Sequence, residues 1–280
     1  MNMLTLDRAD NNTYNESRET FTVSVGHFDL RKIAESGQVF RWYERADGGF
    51  TIHSGRRCIT AYLCDGELTL SASESEYLDY WQHYLALDED YSEYHDAIES
   101  GDDAYASHCA RVSDGIRILN QDLFEMMVSF VISQNNNIPR IRGCIERIVA
   151  QNGGLFPTAE ELYSLDLSGC GLGYRESRGY MKATAQAYSP EFERYIRGLD
   201  YDGARAELLR IHGVGPKVAD CICLFGLGHK EAFPRDTHVN DIISREYGGT
   251  DPSGRWQGYA GVVQQWMFYE ELKRTSGKKK

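Results

Sequence analysis

The chain has 280 residues, of which 41% are apolar, and a formal net charge of −12. This is enough apolar sequence for one large domain or two modest ones, but no stretch approaches the roughly 18 to 20 apolar residues of a membrane span. Seven cysteines without a CxxC pair argue against a disulfide framework and a local zinc or iron–sulfur site, and favour a reducing compartment. We interpret residues 1–19 as a polar leader, because they lack the apolar block of a signal peptide.

Residues 20–71 predict an antiparallel sheet. TFTVSV and parts of FTIHS and ITAYL alternate in polarity, ADGG and CDGE supply turns, and a short helical stretch lies near FDLRKIAES. Residues 71–110 carry eleven acidic side chains and no Lys or Arg, and we predict acidic helices there. This segment accounts for nearly all of the net charge, so the rest of the chain could carry a basic face. We expect an N-terminal sheet domain over 20–110 with an acidic helical end.

From about residue 112 onward the pattern becomes helical. QDLFEMMVSFVIS is apolar almost all round, which is typical of a central buried helix, and IRGCIERIVA repeats isoleucine at helical spacing. Further helices are predicted around 159–165, 176–188, 191–198, 202–210, 216–226, 237–246 and 256–273. The predicted fold class is therefore α+β, an N-terminal antiparallel β-sheet domain followed by a larger all-helical domain over 111–280.

ARAELLRIHGVG followed by PKVADCICLFG predicts a helix, a tight turn and a second helix. Gly213 and Gly215 permit backbone conformations closed to other residues and let backbone N–H groups approach an anion. Pro216 suits the first position of a helix, and the start of that helix would present free N–H groups to a phosphate. The pattern favours binding to the DNA backbone, with an ordinary helix-turn-helix corner as the alternative.

Lys217 falls in the first turn of the second helix, where the helix dipole disfavours a cation and so favours the neutral amine. A neutral amine is a nucleophile that can form a Schiff base with a sugar carbon, whereas simple phosphate binding is the alternative. Asp236 is a plausible N-cap of the next helix. If both helix starts face one cleft, its carboxylate could also stabilise an oxocarbenium-like transition state. Cys221 lies four residues after Lys217 and therefore on the same helix face.

Six segments of the chain together carry a family resemblance. They are GQVFRW (37–42), GIRILNQDLFEMMVSFVISQNNNIPRIRG (115–143), GLGYR (171–175), GVGPKVADCICLFGL (213–227), FPRDTH (233–238) and YAGVVQQWMF (259–268). In these segments, which follow the family's order across both predicted domains, the chain resembles the helix-hairpin-helix superfamily of DNA glycosylases, and more closely the 8-oxoguanine DNA glycosylase family. The absence of cysteines after Asp236 separates it from the branches that carry an iron–sulfur cluster there.

The resemblance implies a bifunctional glycosylase and β-lyase of base excision repair. Such an enzyme flips 8-oxoguanine opposite cytosine out of the duplex, excises it through a lysine Schiff base and cleaves the strand at the abasic site. By resemblance, Lys217 attacks the sugar C1′, and Asp236 assists base departure and stabilises positive charge. No metal or organic cofactor is implied for this chemistry, although a structural cation at the hairpin would be compatible. The implied partner is double-stranded DNA containing 8-oxoguanine. We expect the protein to be a monomer that does not associate with a membrane, and to act in the cytoplasm or nucleoid, or in the nucleus of a eukaryote.

The resemblance also implies a base pocket. The carbonyl of Gly37 would accept the proton that 8-oxoguanine carries at N7, where guanine has only an acceptor, and a glycine lets the backbone come close. Gln264 would read the Watson–Crick edge of the base. Cys221 and Phe268 would sandwich its ring, with ordinary core packing as the alternative for Phe268.

A further set is implied to contact the DNA: Asn135, Arg140, Tyr174, Arg175, Gly213, Gly215 and His238. Asn135 would fill the space left by the flipped nucleotide, and Tyr174 would wedge beside the opposite base. Arg140 and Arg175 would donate hydrogen bonds to the estranged cytosine, with phosphate contact as the alternative. His238 would lie near the phosphate of the lesion, unless it is merely a surface histidine. The Asn-rich run could equally be a turn and helix cap.

Two features depart from the family's pattern, and two other functions stay open. Pro139 stands where a small non-proline residue is expected and could shift the start of its helix, while the acidic segment 71–110 should face away from DNA.

The same fold could act on an alkylated base or an oxidised pyrimidine, against which Gly37 and Gln264 argue. A DNA-binding module without catalysis is the other alternative, and it needs neither Lys217 nor an aspartate nineteen residues later.

Overall fold

A computed structural model describes residues 19–277, so nearly all of the predicted leader and the terminal lysines lie outside the described residues. Five strands form one antiparallel sheet in the order β1-β5-β4-β3-β2. The strands are β1 (Phe21–Ser24), β2 (Trp42–Glu44), β3 (Phe50–Ser54), β4 (Arg57–Cys64) and β5 (Glu67–Leu70). This confirms the predicted antiparallel sheet and the α+β fold class.

The alternation read in the sequence becomes the inner face of the sheet. Phe50 and Ile52 of β3 are buried, and they pair with Ala61 and Ile59 of β4. Trp42 of β2 belongs to the same buried apolar cluster. Its indole N–H donates to the hydroxyl of Tyr84 at 2.9 Å. Because successive strand residues point to opposite faces, this pattern of burial fixes the register of the strands.

The remaining elements are helices. The acidic segment forms a helix over residues 74–84 with a π-helical turn at Tyr77–Trp81, and two further helices follow it. In chain order the helices are α1 (Leu30–Glu35), α2 (Glu74–Glu76), α3 (Gln82–Tyr84), α4 (Ser92–Glu99), α5 (Ala104–Val112), α6 (Leu123–Ser133), α7 (Ile138–Gln151), α8 (Ala159–Ser164), α9 (Tyr174–Ser177), α10 (Tyr180–Ala187), α11 (Pro190–Arg197), α12 (Tyr201–Leu209), α13 (Pro216–Gly226), α14 (Thr237–Glu246) and α15 (Ala260–Gly277).

Two predicted helix bounds were wrong. The helix predicted over 176–188 is divided between α9 and α10, because Gly179 adopts a left-handed backbone with φ of +75°. The helix predicted from residue 256 begins only at Ala260, after a 3₁₀ turn at Ser253–Arg255. The apolar periodicity of a sequence indicates that a segment is helical. It does not show where one left-handed residue interrupts the backbone hydrogen bonds of the helix.

Helix α6 lies at the centre of the helical body, as predicted, because its residues Leu123 to Ile132 are all buried. It packs against α13, which is buried from Val218 to Gly226. The helices from Ala86 to Ala110 also pack in this helical core rather than beneath the sheet. The domain division at residue 110 stays a prediction. Among the helices of residues 19–277, none combines the length and apolar character that crossing a bilayer requires.

Candidate active site and DNA-facing loops

The predicted hairpin consists of α12, a turn and α13. Gly213 in the turn has φ of +94°, and a Cβ there would overlap the side chain of Tyr180. Gly215, the N-cap of α13, instead has an extended backbone with φ of −95° and ψ of 175°. The expectation of a special conformation at both glycines is therefore wrong for Gly215, where any residue could adopt this backbone. A side chain at Gly215 would meet no neighbour, so the approach to the start of α13 is open.

Lys217 is half-buried in the first turn of α13. Its Nζ donates to Ser133 Oγ at 3.1 Å and lies 5.3 Å from the centroid of the Phe130 ring. Both partners belong to α6, so the amine is positioned against the end of the central helix. No ion pair to Lys217 is formed within the described part of the chain. The amine is therefore held by a neutral hydroxyl and an aromatic face rather than neutralised by a carboxylate.

Asp236 is the N-cap of α14 and is also half-buried. Its Oδ1 accepts from the backbone N–H of Val239 at 2.9 Å. Cys221 of α13 is a buried thiol whose pKa responds to both groups. Burial raises this pKa to about 11, while the charge of Lys217 lowers it and the charge of Asp236 raises it. The two helix starts thus bring an amine and a carboxylate close enough to act on the same buried thiol.

Gly37 and Phe268 lie against each other across the boundary between the sheet and the helical body. Gly37 has φ of +83°, and a Cβ there would come 2.9 Å from Phe268 Cε1 and 3.3 Å from Ile138 Cδ1. His238 in the first turn of α14 meets the Phe268 ring edge to face, with 5.8 Å between ring centroids. The structure therefore groups Gly37, His238 and Phe268 at one place.

Gln264 lies one turn before Phe268 on α15 and is only 5% exposed. Its Nε2 donates to the carbonyl of Pro234 at 3.3 Å, but its Oε1 has no hydrogen-bond partner among the described residues. A buried acceptor without a partner is rare and costs about 1–3 kcal/mol. Gln264 therefore offers an unused acceptor to a donor that enters the site.

Sequence reasoning missed the side chains that hold the Gly37 loop. Gln38 donates to the carbonyl of Arg117 at 2.9 Å and accepts from the N–H of Leu119 at 3.0 Å. On the other flank, Gln265 of α15 donates to the carbonyl of Ser36 at 2.7 Å. The polar residues inside the apolar segments GQVFRW and VVQQWMF were the available signal, because a buried amide needs specific partners.

Arg41 and Glu125 form a buried ion pair between the sheet domain and α6. Arg41 Nη1 donates to Glu125 Oε2 at 3.0 Å and to the carbonyl of Gly55 at 2.8 Å, and the N–H of Gly55 donates to Glu125. Both side chains are at most 6% exposed. Burial raises the pKa of Glu125 to about 7, and the opposing charge of Arg41 offsets only part of that effect.

Three of the seven residues expected to contact DNA, Asn135, Tyr174 and Arg175, lie in two short segments. After this expectation we call residues 134–137 and residues 172–175, which include the start of α9, the DNA-facing loops. Asn135 is exposed and has φ of +45°, an unusual backbone for a residue other than glycine. The hydroxyl of Tyr174 donates to the carbonyl of Gln134 at 3.3 Å. Gln134 also donates to the carbonyl of Gly213 at 2.9 Å, which connects these loops with the hairpin.

Arg175 differs from the expectation of an exposed donor. Its side chain is 3% exposed, and its guanidinium donates to the carbonyls of Gln134, Asn135 and Leu172. Its Nε has no partner in the described structure. Backbone carbonyls of the neighbouring loop occupy the donors that the resemblance assigns to cytosine. Contact with a base through the two Nη atoms would therefore exchange these hydrogen bonds, whereas the Nε donor is still unused.

Arg140 is an exposed residue in the first turn of α7. Asn137 is the N-cap of α7 and accepts from the N–H of Arg140 at 3.0 Å. Pro139 falls within the first turn, where its missing N–H would have no helical partner, so it does not prevent the helix from starting. The alternative of a turn and a helix cap therefore accounts for both residues, because Asn137 caps α7 and asparagine tolerates the left-handed backbone that Asn135 adopts in the turn before it.

Comparisons with known proteins find relatives that match most of this chain. The family described as "8-oxoguanine DNA glycosylase, N-terminal domain" matches residues 20–127. An N-glycosylase/DNA lyase of Saccharomyces cerevisiae is 36% identical over 58% of this chain, and the match spans 58% of that protein's length. A probable N-glycosylase/DNA lyase of Methanothermobacter thermautotrophicus is 28% identical over 83% of this chain and 87% of its own.

A solved structure extends the likeness over both domains. It is the 8-oxoguanine glycosylase/lyase of Clostridium acetobutylicum in complex with double-stranded DNA containing cytosine opposite 8-oxoguanine. It is 28% identical, covers 93% of this chain and 99% of its own, and has a TM-score of 0.83. The chain therefore belongs to the 8-oxoguanine DNA glycosylase family.

Proposed function

We propose that the chain is a DNA repair enzyme that excises 8-oxoguanine opposite cytosine and cleaves the resulting abasic strand through a Schiff base at Lys217. N-glycosylase and lyase activity are supported by the names of its relatives, and DNA as the substrate is supported by the bound duplex of the clostridial structure. The observation that carries the proposal is the position of Lys217, half-buried in the first turn of α13 with its Nζ 3.1 Å from Ser133 Oγ and 5.3 Å from the centroid of the Phe130 ring.

The chemistry begins with Lys217 in its neutral form. The Nζ lone pair attacks C1′ of the flipped nucleotide, and the bond from C1′ to the base breaks with its electron pair leaving on the base, which takes up a proton. Ring opening at O4′ then gives the Schiff base, as a proton moves from the nitrogen to O4′. Loss of a C2′ proton finally breaks the bond from C3′ to its oxygen and releases the 3′ phosphate, which cleaves the strand.

Asp236 contributes charge rather than a bond. As the base departs, positive charge develops at C1′ and O4′, and a nearby carboxylate stabilises it in a site shielded from water. The hydrogen bond from the Val239 N–H fixes one carboxylate oxygen, Oδ1, at 2.9 Å. The group is therefore oriented before the substrate binds.

The pocket selects the lesion through two polar groups and two walls. The carbonyl of Gly37 accepts the N7 proton of 8-oxoguanine and repels the N7 lone pair of guanine. The unpartnered Oε1 of Gln264 accepts from the N–H groups of the Watson–Crick edge. Phe268 and Cys221 cover the ring faces, and the protonated state of the buried thiol keeps one wall uncharged.

The remaining residues hold the opened duplex. Gly213, Gly215 and the start of α13 bind the phosphate backbone, while Asn135 and Tyr174 occupy the space left by the flipped nucleotide. Arg140, Arg175 and His238 contact the opposite cytosine and the flanking phosphate; for Arg175, contact through the two Nη atoms requires release of its three loop carbonyls. The enzyme acts as a monomer in the compartment that holds the genome.

Borohydride trapping tests the nucleophile directly. We expect wild-type protein to form a covalent adduct with a duplex that carries one 8-oxoguanine opposite cytosine, and Lys217→Gln to form none. Lys182→Gln is the matched control, because Lys182 is an exposed lysine on α10, and it should trap like the wild type. Equal trapping by Lys217→Gln would refute the assignment. No trapping by the wild type despite normal binding would indicate a monofunctional glycosylase or a binding module, which a base-release assay distinguishes.

The lesion class needs a separate comparison. Rates of base release should be measured on duplexes with 8-oxoguanine, an alkylated purine or an oxidised pyrimidine, each opposite its normal partner. We expect release from the 8-oxoguanine duplex at least about a hundredfold faster, because a site with polar groups placed for one base strongly rejects analogues that leave them unpaired. Faster release of either other lesion would overturn the pocket assignment and leave that of Lys217 intact.

A further inference from the structure

Three potential metal ligands converge outside the proposed active site. His27 follows β1, His95 lies on α4, and Asp114 follows α5. One ligand atom of each lies within 4.8 Å of the other two. His27 Nδ1 is 2.6 Å from Asp114 Oδ1, and His95 Nε2 is 3.5 Å from the same oxygen. Their wide separation in sequence explains why no spacing motif announced them.

The buried member of the cluster has an unused nitrogen. His95 is 9% exposed, and its Nε2 makes no hydrogen bond within residues 19–277. Its ring is stacked against Trp266 and against His27, with 4.5 Å between centroids in both pairs. An ordinary hydrogen-bonded pair accounts for His27 and Asp114, but His95 Nε2, 3.5 Å from the same carboxylate oxygen, is left without a hydrogen bond among the described residues, which is unfavourable in a buried site.

The surrounding structure fixes the cluster in place. Arg117 donates to the carbonyls of Gly26 and His27 at 2.7 and 3.0 Å, so the loop that carries His27 is anchored through its backbone. Lys32 donates to the carbonyl of Asp114 at 2.7 Å and fixes the third ligand in the same way. The side chains of His27 and Asp114 remain 38% and 51% exposed, so a cation can enter from solvent.

We propose that His27, His95 and Asp114 bind a divalent transition-metal ion of the Zn²⁺ class. Two imidazole nitrogens and one carboxylate oxygen are a ligand set that Zn²⁺ accepts, with water in the fourth position. Metal–ligand distances of about 2.0–2.2 Å require the contact between His27 and Asp114 to open to about 3.3 Å. The exposed ring of His27, which lies nearly parallel to that of His95 at 22°, turns to present its nitrogen.

The bound ion would brace the proposed base pocket rather than take part in its chemistry. Trp266, which stacks on His95, lies between Gln264 and Phe268 on α15, and its backbone carbonyl accepts from Ser113 beside Asp114 at 3.0 Å. A cation would therefore connect the loop after β1, α4 and the segment after α5 to the helix that carries the pocket. This inference does not depend on the proposed function, because metal binding can be measured without DNA.

Titration of the metal-free full chain with Zn²⁺ and Co²⁺ tests the site. We expect one ion per chain and a rise in Tm of about 5 °C at a hundredfold excess of Zn²⁺ over its Kd. We also expect visible d–d absorption from four-coordinate Co²⁺ without the charge-transfer band that cysteine ligands would give. Binding that is absent, or that shows thiolate ligation, would overturn the proposal.

Single variants identify the ligands. His27→Asn should weaken Zn²⁺ binding about tenfold or more, and it should fold because Asn tolerates the left-handed backbone with φ of +47° that His27 adopts. His83→Asn is the matched control, since His83 pairs with Asp88 at 2.9 Å in the acidic segment that also carries His95, and it joins no group of three potential ligands among the described residues. Unchanged binding in His27→Asn, or equal loss in His83→Asn, would overturn the assignment.

Discussion

The proposed base pocket and the DNA-facing loops differ in how their polar groups are used. In the pocket, the buried Oε1 of Gln264 has no hydrogen-bond partner among the described residues. The neighbouring Gly37 loop is nevertheless fixed, because Gln265 donates to the carbonyl of Ser36. In the loops, Arg175 gives its donors to three carbonyls of its own chain. The pocket presents an unused buried acceptor, whereas the loops have already used the Nη donors of Arg175 and leave only its Nε without a partner among the described residues.

This difference suggests two kinds of recognition. A preorganised pocket loses little entropy when the base enters, so its contacts can favour one base over another. Under the proposed function the DNA-facing loops exchange internal hydrogen bonds for contacts with the duplex, so we expect their net contribution to affinity to be smaller than the number of contacts suggests. Lesion choice should therefore depend on the pocket, and opening of the duplex should depend on the loops.

The largest expected effect comes from removing one charge from the catalytic pair. Asp236→Asn should lower the rate of 8-oxoguanine excision about 10²–10³-fold, because an uncharged amide no longer stabilises the developing positive charge. Stability should change by less than about 0.5 kcal/mol, since Asn caps a helix as well as Asp does. Single-turnover excision and urea unfolding measure the two quantities.

Asp200→Asn is the control for that variant. Asp200 is the N-cap of α12 and accepts from the N–H of Gly203 at 2.9 Å, but it belongs to the far end of the hairpin. It should keep both activity and stability. A large loss of stability in Asp236→Asn, with activity lost in proportion, would mean that the aspartate acts only as a cap.

The two glycines of the hairpin separate structure from DNA contact. Gly213→Ala should cost about 3 kcal/mol of stability, because it combines a left-handed backbone with an overlap on Tyr180. Gly215→Ala should change stability by less than about 0.5 kcal/mol, yet weaken duplex binding by placing a methyl group at the open start of α13. Urea unfolding measures the two changes in stability, and binding to an abasic duplex measures the change in affinity. Similar stability of both variants would contradict the assigned backbone conformations.

The buried ion pair between Arg41 and Glu125 gives a pH dependence. With a folded pKa of about 7 and an ordinary value of 4.5, Glu125 binds more protons in the folded state than in the unfolded state. Stability should therefore fall as pH rises from about 4.5 to about 7 and then level off. The difference between pH 6 and pH 8 is about 1.4 kcal/mol. Urea midpoints across that range measure it.

Glu125→Gln should flatten this slope, because an amide does not titrate, and above about pH 7 it should also remove the counter-charge of the buried Arg41. Glu44→Gln is the control, since Glu44 forms an exposed pair with Arg31. It should leave the slope unchanged. An identical slope in Glu125→Gln would show that other groups produce the pH dependence.

The sequence predicted local features better than tertiary ones. The strands, the buried α6 and the hairpin depend on patterns within one segment, and each was found. The break at Gly179 depends on the conformation of one residue, which periodicity does not register. The burial of Arg175 and the hydrogen bond of Gln265 depend on backbone carbonyls that lie far away in sequence. Arg175 donates to Gln134, and Gln265 donates to Ser36. Such partners follow from packing, so sequence patterns alone could assign these side chains only by resemblance.

The smallest expected effect distinguishes strain from contact in the DNA-facing loops. Asn135 holds a left-handed backbone, which costs an alanine about 1 kcal/mol and a glycine almost nothing. Asn135→Ala should therefore be less stable than Asn135→Gly by about 1 kcal/mol, while both lose the side chain proposed to fill the opened duplex. If that side chain acts by contact, both variants should bind an abasic duplex equally weakly. If the glycine variant binds like the wild type, the backbone shape of the loop, rather than the asparagine side chain, is what the DNA requires.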